Sequence, residues 1–240
     1  MKVSDSPEKL LLIPGHLCTR DLWKFQEKAL QQTIPCIFPE IPHSVSIHEM
    51  AKRILDQAPD TFAVAGLSMG GIIAFEIIRL APDRVSKLAL LDTSPLPDSK
   101  ERKEQRIQFL KQAESKGFEK AVNQLWLPLM LSEKGRRNHE LNDLVIRMAN
   151  RVGMKQCIEQ IEALWGRQDS SNLLSSIQCP TLLICGEQDA LTPPGIHLQM
   201  AEKIKLSKLE IIPECGHLTT LEAPDEVCRL MTEWINERGL

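Results

Sequence analysis

The 240-residue sequence contains no tyrosine, and aromatic residues make up only 4% of it. No phenol is therefore available as an acid, a base or an oxyanion donor. The patterns GxxxxGK[ST], GxGxxG and HExxH are all missing, which removes the minimal chemistry of P-loop, Rossmann dinucleotide and zincin sites. The seven cysteines are odd in number and scattered in spacing, with no CxxC pair. That pattern reads as reduced, mostly buried thiols and not as a disulfide framework or a thiolate metal site. No metal or organic cofactor is implied. No apolar run approaches the roughly 18–20 residues that span a bilayer, and the opening MKVSDSPEKLLLIPG has too short an apolar stretch for a signal peptide. A basic excess is lacking as well: 29 Lys and Arg face 32 Asp and Glu, for a net charge of −3. Nucleic-acid binders normally carry the opposite imbalance. The expectation is a cytoplasmic protein with no membrane span and no nucleic-acid partner.

What remains is an ordinary globular composition, 42% hydrophobic and 25% charged. A chain of this length buries roughly 70–75% of its unfolded surface, so it needs no staple. Short apolar runs alternate with helical patterns through the first half. Strands are predicted at Leu10–Ile13, Cys36–Phe38, Thr61–Ala65 and Val85–Leu91. Helices are predicted at about Asp21–Gln31, Ser46–Gln57 and Gly71–Leu80. This βαβαβαβ rhythm indicates a parallel sheet with helices on both faces. It breaks between about Ser94 and Ser176, where no strand is evident. The segment 98–130 is charged and helical in period, with apolar residues at Ile107, Leu110, Ala113 and Phe118. The charge run over 98–106 reads as a solvated helix face. A second helical stretch begins near Leu141. Sheet rhythm returns with a strand at 181–185, a helix at about Pro194–Lys203, a strand at Leu209–Ile212 and a closing helix at about Leu221–Asn236. The reading is an α/β core of about six parallel strands, residues 1–93 and 177–240, with a helical cap, residues 94–176, inserted after the fourth strand.

The most informative segment is Gly66-Leu67-Ser68-Met69-Gly70-Gly71, between a strand and an apolar helix. Gly-x-Ser-x-Gly in that setting is a nucleophile elbow: a sharp turn crowds the serine's neighbours, so glycines flank it two residues away on each side. Ser68 would then project above the sheet edge at a helix N-terminus, where free N–H groups and the helix dipole favour negative charge. A serine hydroxyl needs a base, and the base needs an orienting acid. Asp189 follows the strand at 181–185, and His217 follows the strand at 209–212. Both fall at the same sheet edge, in the chain order Ser, Asp, His. Glu187 and Asp92 are rival acids. An oxyanion hole needs two backbone N–H groups; Met69 and His16 are the candidates, the latter in the loop after the first strand. The other histidines, at 43, 48, 139 and 197, read as structural or surface residues.

These residues together resemble the α/β-hydrolase fold superfamily over nearly the whole chain. Leu12-Ile13-Pro14-Gly15 followed by Trp23 is similar to its HG…W opening. The elbow resembles that of enol-lactonases, small carboxylesterases and cofactor-free perhydrolases. Gly186-x-x-Asp189-x-x-Thr192-Pro193 and Gly216-His217 match the acid and base loops. The stretch 166–194 particularly resembles the 3-oxoadipate enol-lactonase-like group. Pro14 stands where the motif usually has His, and about nine residues precede the first strand, which suggests a trimmed N-terminus.

The resemblance implies a serine hydrolase of a small ester, thioester or lactone, with a small-molecule acyl substrate. A serine at the elbow separates the chain from relatives that use a carboxylate there. Leu17, Trp126, Leu127, Met130, Trp165 and Leu218 are candidates to line an apolar pocket. Two alternatives stand beside this reading. One is C–C hydrolysis or a lyase-like reaction on an acidic substrate, with Arg136, Arg137, Arg147 or Arg151 binding its carboxylate. The other is a noncatalytic binding protein on the same fold.

Overall fold

The computed structural model describes residues 8–237. The expectation of a trimmed N-terminus falls largely on residues 1–7, which lie outside the described residues. Six strands form one wholly parallel sheet: β1 (Leu10–Ile13), β2 (Cys36–Ile37), β3 (Phe62–Leu67), β4 (Val85–Leu91), β5 (Thr181–Gly186) and β6 (Ser207–Ile212). Their spatial order is β2-β1-β3-β4-β5-β6. The chain thus winds outward from β1 to one edge, returns to β3, and then builds the other edge. The reversal lies between β1 and β3, where open parallel sheets hold their sites beyond the strands' C-terminal ends.

The two-residue period of the strands sorts their side chains onto two cores. Leu10, Leu12, Ala63, Ala65, Ala89 and Leu91 face one core. Leu11, Ile13, Phe62, Val64, Leu88 and Leu90 face the other. Because both faces are covered, the strands read as continuous apolar runs. On the second face lie α2 (Ile47–Gln57), α3 (Met69–Leu80) and α8 (Pro194–Lys203). The Ser46 side chain caps α2 by accepting from the Glu49 N–H, and Ile47, Met50, Ala51 and Ile54 form its inward stripe. On the first face lie α1 (Lys24–Leu30), the short α9 (Thr219–Glu222) and α10 (Pro224–Asn236), which buries Val227, Leu230, Met231 and Trp234 at helical spacing.

Between β4 and β5 the structure has helices and no strand: α4 (Lys100–Lys116), α5 (Phe118–Ala121), α6 (Leu127–Met130) and α7 (His139–Trp165). A π-type turn over Val122–Trp126 joins α5 to α6. α7 is interrupted at Gly153, whose φ of 75° is outside the helical region. A glycine there lets the chain break direction without a Cβ clash. Among the apolar residues of α4, Ile107 is exposed, and one reading of this helix is corrected. The charge run is not uniformly solvated, because Arg106 is buried on the same stripe as Phe109 and Ala113.

Candidate active site

Ser68 is the single residue between β3 and α3, with φ 56° and ψ −116°. A non-glycine residue there costs about 1–3 kcal/mol, so surrounding structure must impose it. The Ser68 N–H donates to the Leu91 carbonyl at 2.9 Å, and the Ser68 carbonyl accepts from Thr93 Oγ1 at 2.7 Å. The glycines act by permitting close approach. A Cβ at Gly66 would lie 2.3 Å from the Gly70 backbone, and one at Gly70 would lie 2.1 Å from the Ile13 carbonyl oxygen. The elbow is therefore pressed directly against β1.

Three loops meet at this edge. His217 Nε2 lies 2.9 Å from Ser68 Oγ, and His217 Nδ1 lies 2.8 Å from Asp189 Oδ2. Asp189 is buried and fully engaged. Oδ1 accepts from the Leu191 and Thr192 N–H groups at 2.8 and 3.0 Å, and Oδ2 also accepts from Thr192 Oγ1 at 2.6 Å. Burial pushes this carboxyl's pKa up, but attraction to His217 and the bonds from His217 and Thr192 outweigh it, leaving Asp189 well below the usual carboxylate range. The His217 loop is fixed from below. Its own N–H donates to the Met130 carbonyl at 3.1 Å, and the Glu222 carboxylate bridges the Gly216 N–H and the Ser132 N–H.

The rival acids do not bond to His217. Glu187 accepts from the Glu214 N–H at 3.0 Å. Asp92 is buried, with Oδ1 accepting from the Gly186 N–H and Oδ2 from the Thr219 N–H and hydroxyl. Burial and the neighbouring Asp189 push its pKa well above the usual range. Asp92, Cys185 and Asp189 place ligand-type atoms within 4.8 Å of one another. All four carboxylate oxygens already accept protein hydrogen bonds, and burial raises the Cys185 thiol pKa far above its ordinary value, so the cluster suits structure better than a cation.

The loop after β1 turns beside Ser68. The Leu17 N–H donates to Gln160 Oε1 on α7 at 3.0 Å, so this loop is tied to α7 despite having Pro14 in the motif's usual His position. The Leu17 amide is thereby occupied. The His16 amide and the Met69 amide, the latter at the first position of α3, have no hydrogen-bond partner among the described residues. The His16 ring stacks edge-on to Trp126, with centroids 6.5 Å apart, and its Nε2 is 3.7 Å from Cys157 Sγ. Burial, followed by Arg106 and Arg102, lowers its pKa well below 6.5. The remaining histidines fall on structural or surface positions; His197, for example, accepts the Thr93 N–H at 3.2 Å.

A cavity of about 390 Å³ opens over Ser68 and His217. Of the six expected pocket residues, Trp126, Met130 and Leu218 line it. Leu17, Leu127 and Trp165 do not: Leu17 is wholly buried in the first core, and the other two pack against that core. Arg136, Arg137, Arg147 and Arg151 also lie off the cavity, and Arg151 pairs with Asp21 near the surface. The cavity instead holds Arg102, Arg106 and Arg167. Sequence reasoning missed these three. The signal was present for two of them, since residues 102, 106, 109 and 113 follow helical spacing.

The alpha/beta hydrolase fold family matches residues 34–224. A pimeloyl-[acyl-carrier protein] methyl ester esterase of Pectobacterium carotovorum is 27% identical over 193 residues, covering 76% of this chain and 73% of that protein. A Bacillus subtilis protein named as a putative 2-succinyl-6-hydroxy-2,4-cyclohexadiene-1-carboxylate synthase is 29% identical, covering 96% and 91%. Among solved structures, a thermophilic esterase from Thermogutta terrifontis, with malate bound, is 30% identical with a TM-score of 0.84, covering 96% of this chain and 90% of that one. The enol-lactonase from Burkholderia xenovorans is 18% identical with a TM-score of 0.86, covering 99% and 94%, and shares the fold.

Proposed function

The chain belongs to the α/β hydrolase fold family, and we propose that it is an ester-cleaving hydrolase working through Ser68, His217 and Asp189. The observation that carries this reading is the continuous line of hydrogen bonds from Ser68 Oγ through His217 to Asp189, at 2.9 and 2.8 Å, on a strained elbow. His217 Nε2 takes the proton as Ser68 Oγ attacks the substrate carbonyl. Asp189 holds the proton on Nδ1 and stabilises the imidazolium that forms. The backbone amides of His16 and Met69, both without a protein partner, receive the tetrahedral oxyanion. His217 then protonates the leaving oxygen, an acyl-enzyme remains on Ser68, and a water that gives its proton to His217 attacks the acyl carbonyl, so that the acid leaves and Ser68 Oγ takes the proton back.

Residues 94–176 act as a cap in this reading. They supply Leu96, Arg102, Arg106, Trp126 and Met130 to the cavity wall opposite the sheet edge. The relatives named as a methyl ester esterase and a thermophilic esterase favour esters. Lactones and thioesters fit the same chemistry. A lyase-type reaction on an acidic substrate is the second reading, favoured by the three arginines of the cavity.

The experiment is intact-mass analysis after fluorophosphonate treatment of the wild type and Ser68→Ala. A single adduct on the wild type and none on the variant is expected, together with a loss of at least about a thousandfold in ester hydrolysis. A wild type that stays unlabelled, or a Ser68→Ala enzyme of undiminished activity, refutes the mechanism.

A further inference from the structure

The arginines around the cavity are unevenly paired. Asp98 accepts from Arg106 Nε at 2.6 Å and from Arg167 Nη1 at 2.8 Å. Arg167 gives three further bonds to the Leu96 and Leu164 carbonyls. Arg106 is buried, yet beyond Asp98 its guanidinium has no further hydrogen bond among the described residues. Arg102 is half-buried, has no carboxylate partner among the described residues, and gives one bond to Gln105 Oε1 at 3.0 Å. Both line the cavity that contains Ser68 and His217. They also border a side chamber of about 70 Å³ walled by Phe109, Leu125, Leu129 and Ile161.

Two guanidinium groups one turn apart on α4, one buried and one half-buried, repel each other and lose hydration, a cost that an incoming anion would remove. The wall also carries Arg167, Asp98 and the exposed Glu101. Three arginines against Asp98 and Glu101 leave one positive charge in excess. That suits a carboxylate better than a phosphate monoester, which carries −1.5 to −2. The planar guanidinium fork also matches a carboxylate in two parallel bonds.

We infer that the substrate carries a second, non-reacting carboxylate, which Arg102 and the free side of Arg106 hold while Ser68 meets the reacting carbonyl. The inference rests on the cavity being the substrate site. It makes Arg102 a specificity-determining residue, and it narrows the substrate class to half-esters of dicarboxylic acids, or lactones bearing an acid group.

The test compares Arg102→Gln and Arg102→Lys with the wild type. Its first arm is the kcat/KM ratio for the monomethyl over the dimethyl esters of succinic, glutaric and adipic acids. The wild type should favour at least one half-ester, and Arg102→Gln should lower that ratio about 10- to 100-fold. Arg102→Lys keeps the charge without the fork and should fall between. Its second arm needs no turnover: free succinate, glutarate or adipate should raise the wild-type Tm and slow fluorophosphonate labelling of Ser68. Arg102→Gln should lose both effects. Wild-type protein that ignores all three diacids and does not favour a half-ester overturns the inference, even if either variant fails to fold. An unchanged ratio in folded Arg102→Gln overturns it too. A diacid-dependent Tm rise that is lost in Arg102→Gln, in a protein that never labels at Ser68, sustains the carboxylate site and refutes the serine mechanism instead.

Discussion

Replacing Asp189 by Asn tests the proposed proton path at its least forgiving point. The Leu191 and Thr192 N–H groups donate to one carboxylate oxygen, so the amide oxygen of Asn must stay on that side. The new NH2 then replaces the oxygen that accepts from His217 Nδ1 and Thr192 Oγ1. Two donors cannot face each other, so Nδ1 must become an acceptor and the imidazole proton must move to Nε2. That nitrogen is the one 2.9 Å from Ser68 Oγ, and once protonated it cannot take the serine proton. The expected loss is about 10³- to 10⁴-fold in kcat, or about 4–5.5 kcal/mol of barrier at 1.36 kcal/mol per decade. Asp92 does not substitute, because both its oxygens are held by Gly186 and Thr219. A combined Asp92→Asn and Asp189→Asn variant should therefore be no slower than Asp189→Asn alone. Initial rates on p-nitrophenyl acetate measure the effect, and the rate of fluorophosphonate labelling repeats it without assuming a substrate. A folded Asp189→Asn protein within tenfold of the wild type in both assays would refute the assignment of Asp189 as the orienting acid.

Other consequences concern stability. Asp98→Ala strands two buried guanidinium groups and should destabilise by about 3–5 kcal/mol in urea unfolding; a loss under 1 kcal/mol would show that the pair is solvated. Gly70→Ala places a Cβ 2.1 Å from the Ile13 carbonyl oxygen and should cost at least about 3 kcal/mol or prevent folding. Gly195→Ala meets nothing within 4 Å near the start of α8 and should stabilise by about 0.4–1 kcal/mol; equal effects at both sites would contradict the packing argument. His197 is buried, and that burial lowers its pKa to about 4. Its unfolded value is about 6.5, so the unfolded chain binds the extra proton first and stability falls as pH drops from about 6.5 to 4. The contribution is roughly 3 kcal/mol, and His16 adds to it in the same direction. Urea midpoints at pH 7.5 and 4.5 should therefore separate less in His197→Gln than in the wild type.

The sheet was legible in the sequence because local physics decides it. The four-residue run Leu10–Ile13 and the six-residue run Thr181–Gly186 are apolar on both faces, as only a doubly covered strand requires. The convergence of Ser68, Asp189 and His217, the proposed triad, was legible for a related reason. Each lies in the loop that leaves the C-terminal end of a strand, and parallel strands end at one edge, so chain order already implied spatial proximity. Loop identity carried the His16 amide in the same way. The helices between β4 and β5 were different. A helix period says which residues share a stripe, but not whether that stripe faces solvent, a core or a cavity. Arg102 and Arg106 therefore looked like surface charge until β4, α4 and the elbow were assembled around them. The pairing of Asp98 with Arg106 and Arg167, and the bond from Leu17 to Gln160 across 143 residues, depend on how α4 and α7 dock. Strand order set where Ser68, Asp189 and His217 meet; the packing of the helices between β4 and β5 decided which charges look into that place.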